Sequence, residues 1–398
     1  NPTTTFAKMV SRNELTTKVE STARVTFGSG GTFAGGSGVW TTGTTCDGNG
    51  GIWLDGEGRI TITGGGAYSA SCISVNSSTS YVLSDGPIYY SGKTGTNVST
   101  VMIGSKVVYL GIPGQFNSNG IMMANWQKSF VLTYPLLTTP SYAYQVNPTP
   151  NSAIPEAQWP IYQPTVQTLT APPAMTPPSC TGLSDWGSPA KTTTTYNEGI
   201  YNSINVRPSS AITFNPGIYC IRPGGTVDFG SDYNITANNV YFYFQGTGTF
   251  KTSGASKKIM TMNNSKIYLT EGSFDHQQAT FKGEPISIYI KQGSFYIQNG
   301  AYGSTFTAPS DGLLLNMDPA NTGTFKILNG GLGQHKLSGT VYAPNALATI
   351  SGGTDTTANA FQLIVKRLSM EGSGKISLDT DNGNLYSGGG STSVELLK

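Results

Sequence analysis

Charge is what this chain has least of. Of its 398 residues only 11% are charged, under half the ordinary share, and the net charge is +2. That balance argues against a nucleic-acid partner and against electrostatic attachment to an anionic membrane, both of which need clustered Lys and Arg. Histidine is scarcer still: only His276 and His335 occur, each in a polar stretch and each read as a surface turn residue. No GxSxG, HExxH or paired-carboxylate signature is present. The 21 acidic residues are scattered singly among turns. The one cluster, Asp379-Thr380-Asp381-Asn382-Gly383-Asn384, looks like part of a calcium loop, but Gly390 stands where the bidentate Glu would be. It reads as a solvated turn. No metal, cofactor or catalytic residue is therefore expected.

Long apolar runs are missing too, so no membrane-spanning helix is expected. The chain begins at Asn1 rather than Met, which reads as processing or truncation, with membrane contact only through a missing or removed anchor. Cysteine is sparse but even in number: Cys46, Cys72, Cys180 and Cys220. With no CxxC spacing and no neighbouring histidine, disulfides are favoured over zinc. Proximity along the chain pairs Cys46 with Cys72 and Cys180 with Cys220; four buried thiols are the alternative. Disulfides persist in oxidising compartments, so an extracellular or cell-surface location is expected.

What the chain has in abundance is glycine (51 residues) and tyrosine (21 residues), the first for turns and the second for strands. Short apolar stretches such as 60–63, 106–110, 212–214, 240–244, 286–290, 313–315, 339–342 and 362–365 are bounded by Gly-rich turns and read as strands. In the second half they return roughly every 20–25 residues, the spacing of coils in a β-solenoid. An all-β fold of solenoid-like, Gly-rich lobes is expected, with a β-sandwich or jelly roll as the alternative. Half of the 22 prolines fall between Pro135 and Pro178, among Tyr142, Trp159 and Tyr162. Proline cannot supply ladder donors, so this stretch reads as an extended, ordered crossover rather than a strand. The expected organisation is an N-terminal arm or helix over 1–25, a first β lobe over 26–133, the crossover over 134–180, a second β-helical lobe over 181–390 and a C-terminal strand over 391–398.

Three patches resemble one family. The run Cys46-Asp47-Gly48 through Gly56-Glu57-Gly58-Arg59-Ile60-Thr61-Ile62-Thr63-Gly64-Gly65-Gly66 to Cys72 is similar to the cysteine-bounded GxGxITVxGGG segment of TadG-like proteins of the tight-adherence (Tad) pilus-assembly family. Phe214-Asn215-Pro216-Gly217-Ile218-Tyr219-Cys220 resembles their xPGxYC turn, and Gly339-Thr340-Val341-Tyr342-Ala343-Pro344-Asn345 their GxxYAPN strand. Ala70-Ser71 departs from the Asn-Ser expected before the second cysteine. The resemblance covers about a third of the chain in scattered patches. It implies an envelope-anchored or secreted protein tied to pili and adhesion, with no chemistry of its own.

The expected function is thus a non-enzymatic extracellular structural protein, a subunit or accessory of a self-assembling surface filament. A glycan-binding adhesin, using exposed Tyr and Trp as sugar platforms, is the alternative. A polysaccharide-cleaving β-helix enzyme is a weaker one. Contacts between subunits are assigned to the chain ends: Phe6, Met9, Val10, Leu15 and Val19 at one, Val394, Leu396 and Leu397 at the other. Asn76, Asn97, Asn234 and Asn263 each head an N-x-Ser/Thr sequon open to glycosylation.

Overall fold

The computed structural model describes residues 22–26, 33–45, 49–71, 73–75, 81–84, 88–90, 98–103, 106–113, 116–118, 121–124, 169–207, 211–230, 234–252, 259–277, 279–298, 303–328, 335–352, 355–357, 361–380, 384–387 and 393–397. Among these residues it is a parallel β-solenoid with three faces rather than a sandwich. On the first face, strands 217–221, 240–244, 265–269, 286–290 and 313–317 stack in register. On the second face, strands 225–229, 247–252, 271–277, 293–298 and 324–328 do the same. The third face stacks the short strands 195–196, 212–214, 235–236, 259–261, 280–283 and 305–307. Among these strands the interval between stacked partners runs from 18 residues (Thr195 to Thr213) to 30 (Phe295 to Phe325). That irregularity is absorbed in the corners, which blurs the repeat in the sequence.

Alternation along each strand fills the interior with apolar side chains. The second face aligns Phe250, Phe274, Phe295 and Phe325, whose rings stack almost flat at 5.3, 4.9 and 5.3 Å between centroids. Each is buried. A different column explains much of the glycine. At the corner between the first and second faces, Gly248, Gly272, Gly293 and Gly323 pass so close to the coil before that a Cβ on Gly272 or Gly293 would lie 1.7 or 1.6 Å from a backbone oxygen. Gly272 and Gly293 also sit at φ of +135° and +127°, where side chains are strained. The corner opposite is held by asparagine. Asn215 Nδ2 donates to Asn197 Oδ1 and Asn264 Nδ2 to Asn239 Oδ1, each at 2.7 Å, with Asn239 and Asn264 both in the left-handed region.

The two expected lobes are stacked as one. Strands 361–371 and 375–379 form the last coil of the C-terminal part, and strands 37–41, 51–54 and 59–63, from the other end of the sequence, pair onto them in parallel on all three faces. Coils at 66–69, 73–75 and 81–84 continue the pile, followed by 88–90, 116–118 and 121–124. One hydrophobic core runs from Val82 and Ile73 through Leu363 to Tyr196. The order of coils in space is therefore a rotation of their order in sequence. Periodicity could not reveal this, because it reports that coils stack and not which coil follows which. The antiparallel hairpin of 98–103 and 106–113 joins the far end through strand 121–124.

The Phe column should carry much of the stability of the second face. Phe274→Ala removes a ring stacked on both sides and should cost about 3–5 kcal/mol, measured as a lower urea midpoint with an unchanged slope.

Candidate functional site

The outward side of the first face is the most elaborated surface of the molecule. By register it presents Cys220, Tyr243, Tyr268, Tyr289, Asn316, Tyr342, Ile364, Trp40 and Tyr68 in one column. Tyr243 and Tyr268 meet edge-on at 5.3 Å, Tyr268 and Tyr289 lie at 4.8 Å, and Trp40 stacks on Tyr68 at 3.9 Å. An outward column would be wet, yet Tyr268, Tyr289, Asn316, Tyr342 and Trp40 are all buried. What covers them is the end of the Pro-rich crossover.

Residues 169–180 cross the column as an extended strap. Asn316 Nδ2 donates to Pro173 O at 3.2 Å, Tyr241 Oη to Thr176 O at 2.8 Å, and Cys180 is disulfide-bonded to Cys220. From Asn316 to Cys220 the register passes Tyr289, Tyr268 and Tyr243, four spacings of ~4.8 Å, or ~19 Å. Seven residues of polyproline II, at ~3.1 Å each, cover ~22 Å. The burial pattern has the same geometry. Leu169, Pro172, Met175 and Pro178 are shielded while the residues between them are exposed, a period of three that matches three residues per polyproline turn. Leu169 packs against the cluster of Phe33, Trp40, Tyr68, Tyr342 and Ile364.

A second cover lies beside the first. Tyr386 N donates to Thr340 Oγ1 at 3.0 Å, and its ring meets Phe33 at 5.0 Å. Buried Gln362 donates to Phe33 O at 2.7 Å and Ser37 O at 2.9 Å while accepting from Thr340 Oγ1. Burial pushes the phenol of Tyr342 up to about 12, helped by the Asp318 charge. Tyr289 donates to Asp318 Oδ2 at 2.7 Å, and its own phenol is likewise raised, first by burial. These are structural hydroxyls with no acid–base use near neutrality.

The outward side of the second face is open and polar. Thr226, Thr249, Ser273, Ser294 and Thr324 form a hydroxyl column, beside Asp228, Lys251, Asp275, Tyr296 and Lys326. Asp275 accepts from Gln277 and Gln298 at 2.7 Å each, and Thr324 Oγ1 donates to Tyr296 Oη at 3.0 Å. Trp186, the exposed large apolar side chain among the described residues, lies at the start of the stack with its indole donating to Glu198 O at 2.9 Å.

The sequence expectations fare unevenly. Cys180 and Cys220 are joined as expected. Cys46 and Cys72, Asn76 and Asn97, the arm residues Phe6, Met9, Val10, Leu15 and Val19, and Trp159 and Tyr162 lie outside the described residues. Asn234 and Asn263 are corner residues: Asn234 Oδ1 accepts from Ile259 N at 2.9 Å and Asn263 Oδ1 from Glu284 N at 3.3 Å. A sequon arises wherever such a corner Asn precedes a strand with Ser or Thr at the right place. The C-terminal strand 393–397 pairs antiparallel with strand 22–26 of the same chain, Val394 opposite Val25, Leu396 opposite Ala23 and Leu397 opposite Thr22. Both ends were assigned to contacts between subunits; here they find each other.

The surface-turn reading of the histidines is corrected outright. His276 is fully buried, with Thr252 Oγ1 2.5 Å from Nδ1 and Ser304 Oγ 2.9 Å from Nε2. His335 is buried with Nδ1 unpartnered. For His276 the flanking Asp275 and Gln277 hid this, because both sit on the solvent side of an alternating strand. Of the tyrosines, Tyr68, Tyr196, Tyr201, Tyr219, Tyr289 and Tyr342 are buried and offer no ring to a sugar. Among the described residues no three His, Cys, Asp or Glu side chains gather as metal ligands, and no helix is long and apolar enough to cross a membrane. Comparison of the chain with family models, with curated proteins and with solved structures finds no match.

Two outcomes follow from this geometry. Burial lowers the His335 imidazole from 6.5 to about 4. The unfolded chain then binds the extra proton first, so stability present above pH 6.5 is lost as the pH falls towards 4, by about 3 kcal/mol. His335→Leu should flatten that part of the pH–stability curve in urea titrations. Cys180→Ser with Cys220→Ser frees one end of the strap and should cost about 2–4 kcal/mol, with new proteolytic cleavage near Met175 as the local signature.

Proposed function

We propose that this chain is a non-enzymatic structural protein that works outside the cytoplasm, as a subunit or accessory of a surface filament engaged in adhesion. The observation that carries this reading is how the molecule is held together. Backbone ladders run along the first two faces through the stack and along the third in two runs, one reaching strand 336–338 and the other starting at 355–357, and a disulfide pins the strap that closes the first face. Such a rod resists shear along its axis through hydrogen bonds repeated at every coil, and its disulfide suits an oxidising compartment. The buried polar residues, His276 with Thr252 and Ser304 inside the stack and Gln362 with Thr340 beneath the cover of the first face, satisfy one another or the backbone. The patches similar to TadG-like proteins point the same way, towards a pilus-linked surface role.

Adhesion through glycan is the second reading, and the open second face favours it. Hydroxyl, amide and charged groups repeat there at the coil spacing, around Tyr296 and Lys326, the chemistry with which a protein meets sugar hydroxyls. Saturable binding on a glycan array that is lost in Tyr296→Ala with Lys326→Ala would favour the adhesin over the filament.

For the filament reading the test is assembly itself. Negative-stain images of the native material should show fibres. Monomers alone would overturn the reading.

A further inference from the structure

The coil stack contains one joint that the polypeptide does not cross from coil to coil. Between residues 361–379 and residues 37–63 the ladder is complete: Val39 pairs with Leu363, Ile52 with Leu368 and Ile60 with Ile376. Thr42 N and Gly43 N donate to Val365 O and Lys366 O, each at 2.9 Å. Asp55 N donates to Met370 O at 2.8 Å and Arg59 N to Gly374 O at 2.9 Å. Arg367 stacks over Trp53 at 5.3 Å. Yet the two sides of this joint meet through the long way round, by way of residues 125–180.

We propose that this joint is also made between copies, the N-terminal coils of one chain (residues 33–124) capping the C-terminal coils of another (residues 181–380). The inference deepens the assembly reading above, and rests on it for its biological setting. Nothing in the joint distinguishes the two cases. Every hydrogen bond, rung and ring contact across it is formed alike whether residue 37 belongs to the same chain or to a second one, so exchange sacrifices no contact. The terminal strands would travel with it, because strand 22–26 belongs to the N-terminal part and its partner 393–397 to the C-terminal part. Paired between copies, Val394, Leu396 and Leu397 then make the subunit contact that their sequence suggests.

Reach is not limiting. The strap is held from Pro173 to Cys180 on its own C-terminal coils, and the length of chain before it, residues 125–168 at ~3.1 Å per residue, is enough to span over ~130 Å. Closure within one chain is favoured in dilute solution by the linker's effective concentration, and exchange gains as chains are crowded at a surface. Exchange that does not close on itself passes from chain to chain and gives a linear array, since donor and acceptor faces differ.

The experiment uses full-length chains carrying one new cysteine each. Ser377 and Thr61 are direct partners across the joint, both half-buried, so Thr61→Cys in one tagged copy and Ser377→Cys in another are refolded together at high concentration and oxidised. A product of twice the 41.9 kDa chain mass carrying both tags is expected, while the pair Thr226→Cys with Thr324→Cys, both on the C-terminal coils, should give none. Native mass spectrometry of unsubstituted light and heavy-isotope chains refolded together should show mixed dimers. If both mixtures contain only single-chain masses, and a double variant Thr61→Cys, Ser377→Cys closes only within itself, the exchange is overturned. Fibres without the cross-link would overturn the exchange and spare the filament reading; cross-linked closed dimers without fibres would do the reverse.

Discussion

Close approach of successive backbones at the corners is the constraint on which this fold rests. A parallel ladder demands that each coil repeat the path of the last at ~4.8 Å, and a corner is where a side chain would first block that repeat. The column of Gly248, Gly272, Gly293 and Gly323 removes the Cβ at the tightest corner, each carbonyl lying where the next Cβ would stand. The opposite corner solves the same problem with polar groups, Asn197 to Asn215 and Asn239 to Asn264 holding adjacent turns by side-chain hydrogen bonds. Between the corners, alternation is enough: the strand interior takes Phe, Ile and Val, and the outside takes what its face requires.

A second constraint follows from the order of the coils. The N-terminal coils are last in the stack, so the chain must travel back along the rod before it can begin the first one. Proline suits that return. A segment lying across a finished sheet has no ladder to join, and polyproline II needs none. The outward tyrosines supply flat apolar rings with a hydroxyl at the tip, which match such a segment in shape and leave Tyr241 Oη to reach Thr176 O. The abundance of tyrosine and the proline-rich stretch are thus one feature of the molecule seen from two places.

Much of this was legible in the chain. Short strands, glycine turns and a loose period gave the solenoid, and the Cys180–Cys220 pairing followed from the same reading; of the ordered crossover expected over 134–180, residues 169–180 are described and lie along the first face. What could not be read was position in the stack. Ile60-Thr61-Ile62-Thr63 looks the same whether it opens a lobe or continues one from Leu378, because parallel pairing is set by shape and register rather than by any residue code. The histidines were misread for a related reason. Asp275 and Gln277 flank His276 and are polar because they face outward, and in a strand that is the very pattern that sends the middle residue in. A helical or turn reading of the same tripeptide predicts the opposite.

The joint between the last and first parts of the chain also bears on stability. Every other neighbouring pair of coils within the C-terminal part is tied by a corner of a few residues, so losing one ladder leaves the next within reach. Across the joint, the two parts are held by the ladders themselves, by Gln362 reaching back to Phe33 and Ser37, and by the packing of Leu169 and Tyr386 on the cluster around Trp40 and Ile364. Closure entropy grows only slowly with loop length, so the long connection costs little once formed but also returns the parts slowly once separated. Leu169 of the strap and Tyr386 of the C-terminal segment bridge the joint, each packing on side chains from both parts of the chain.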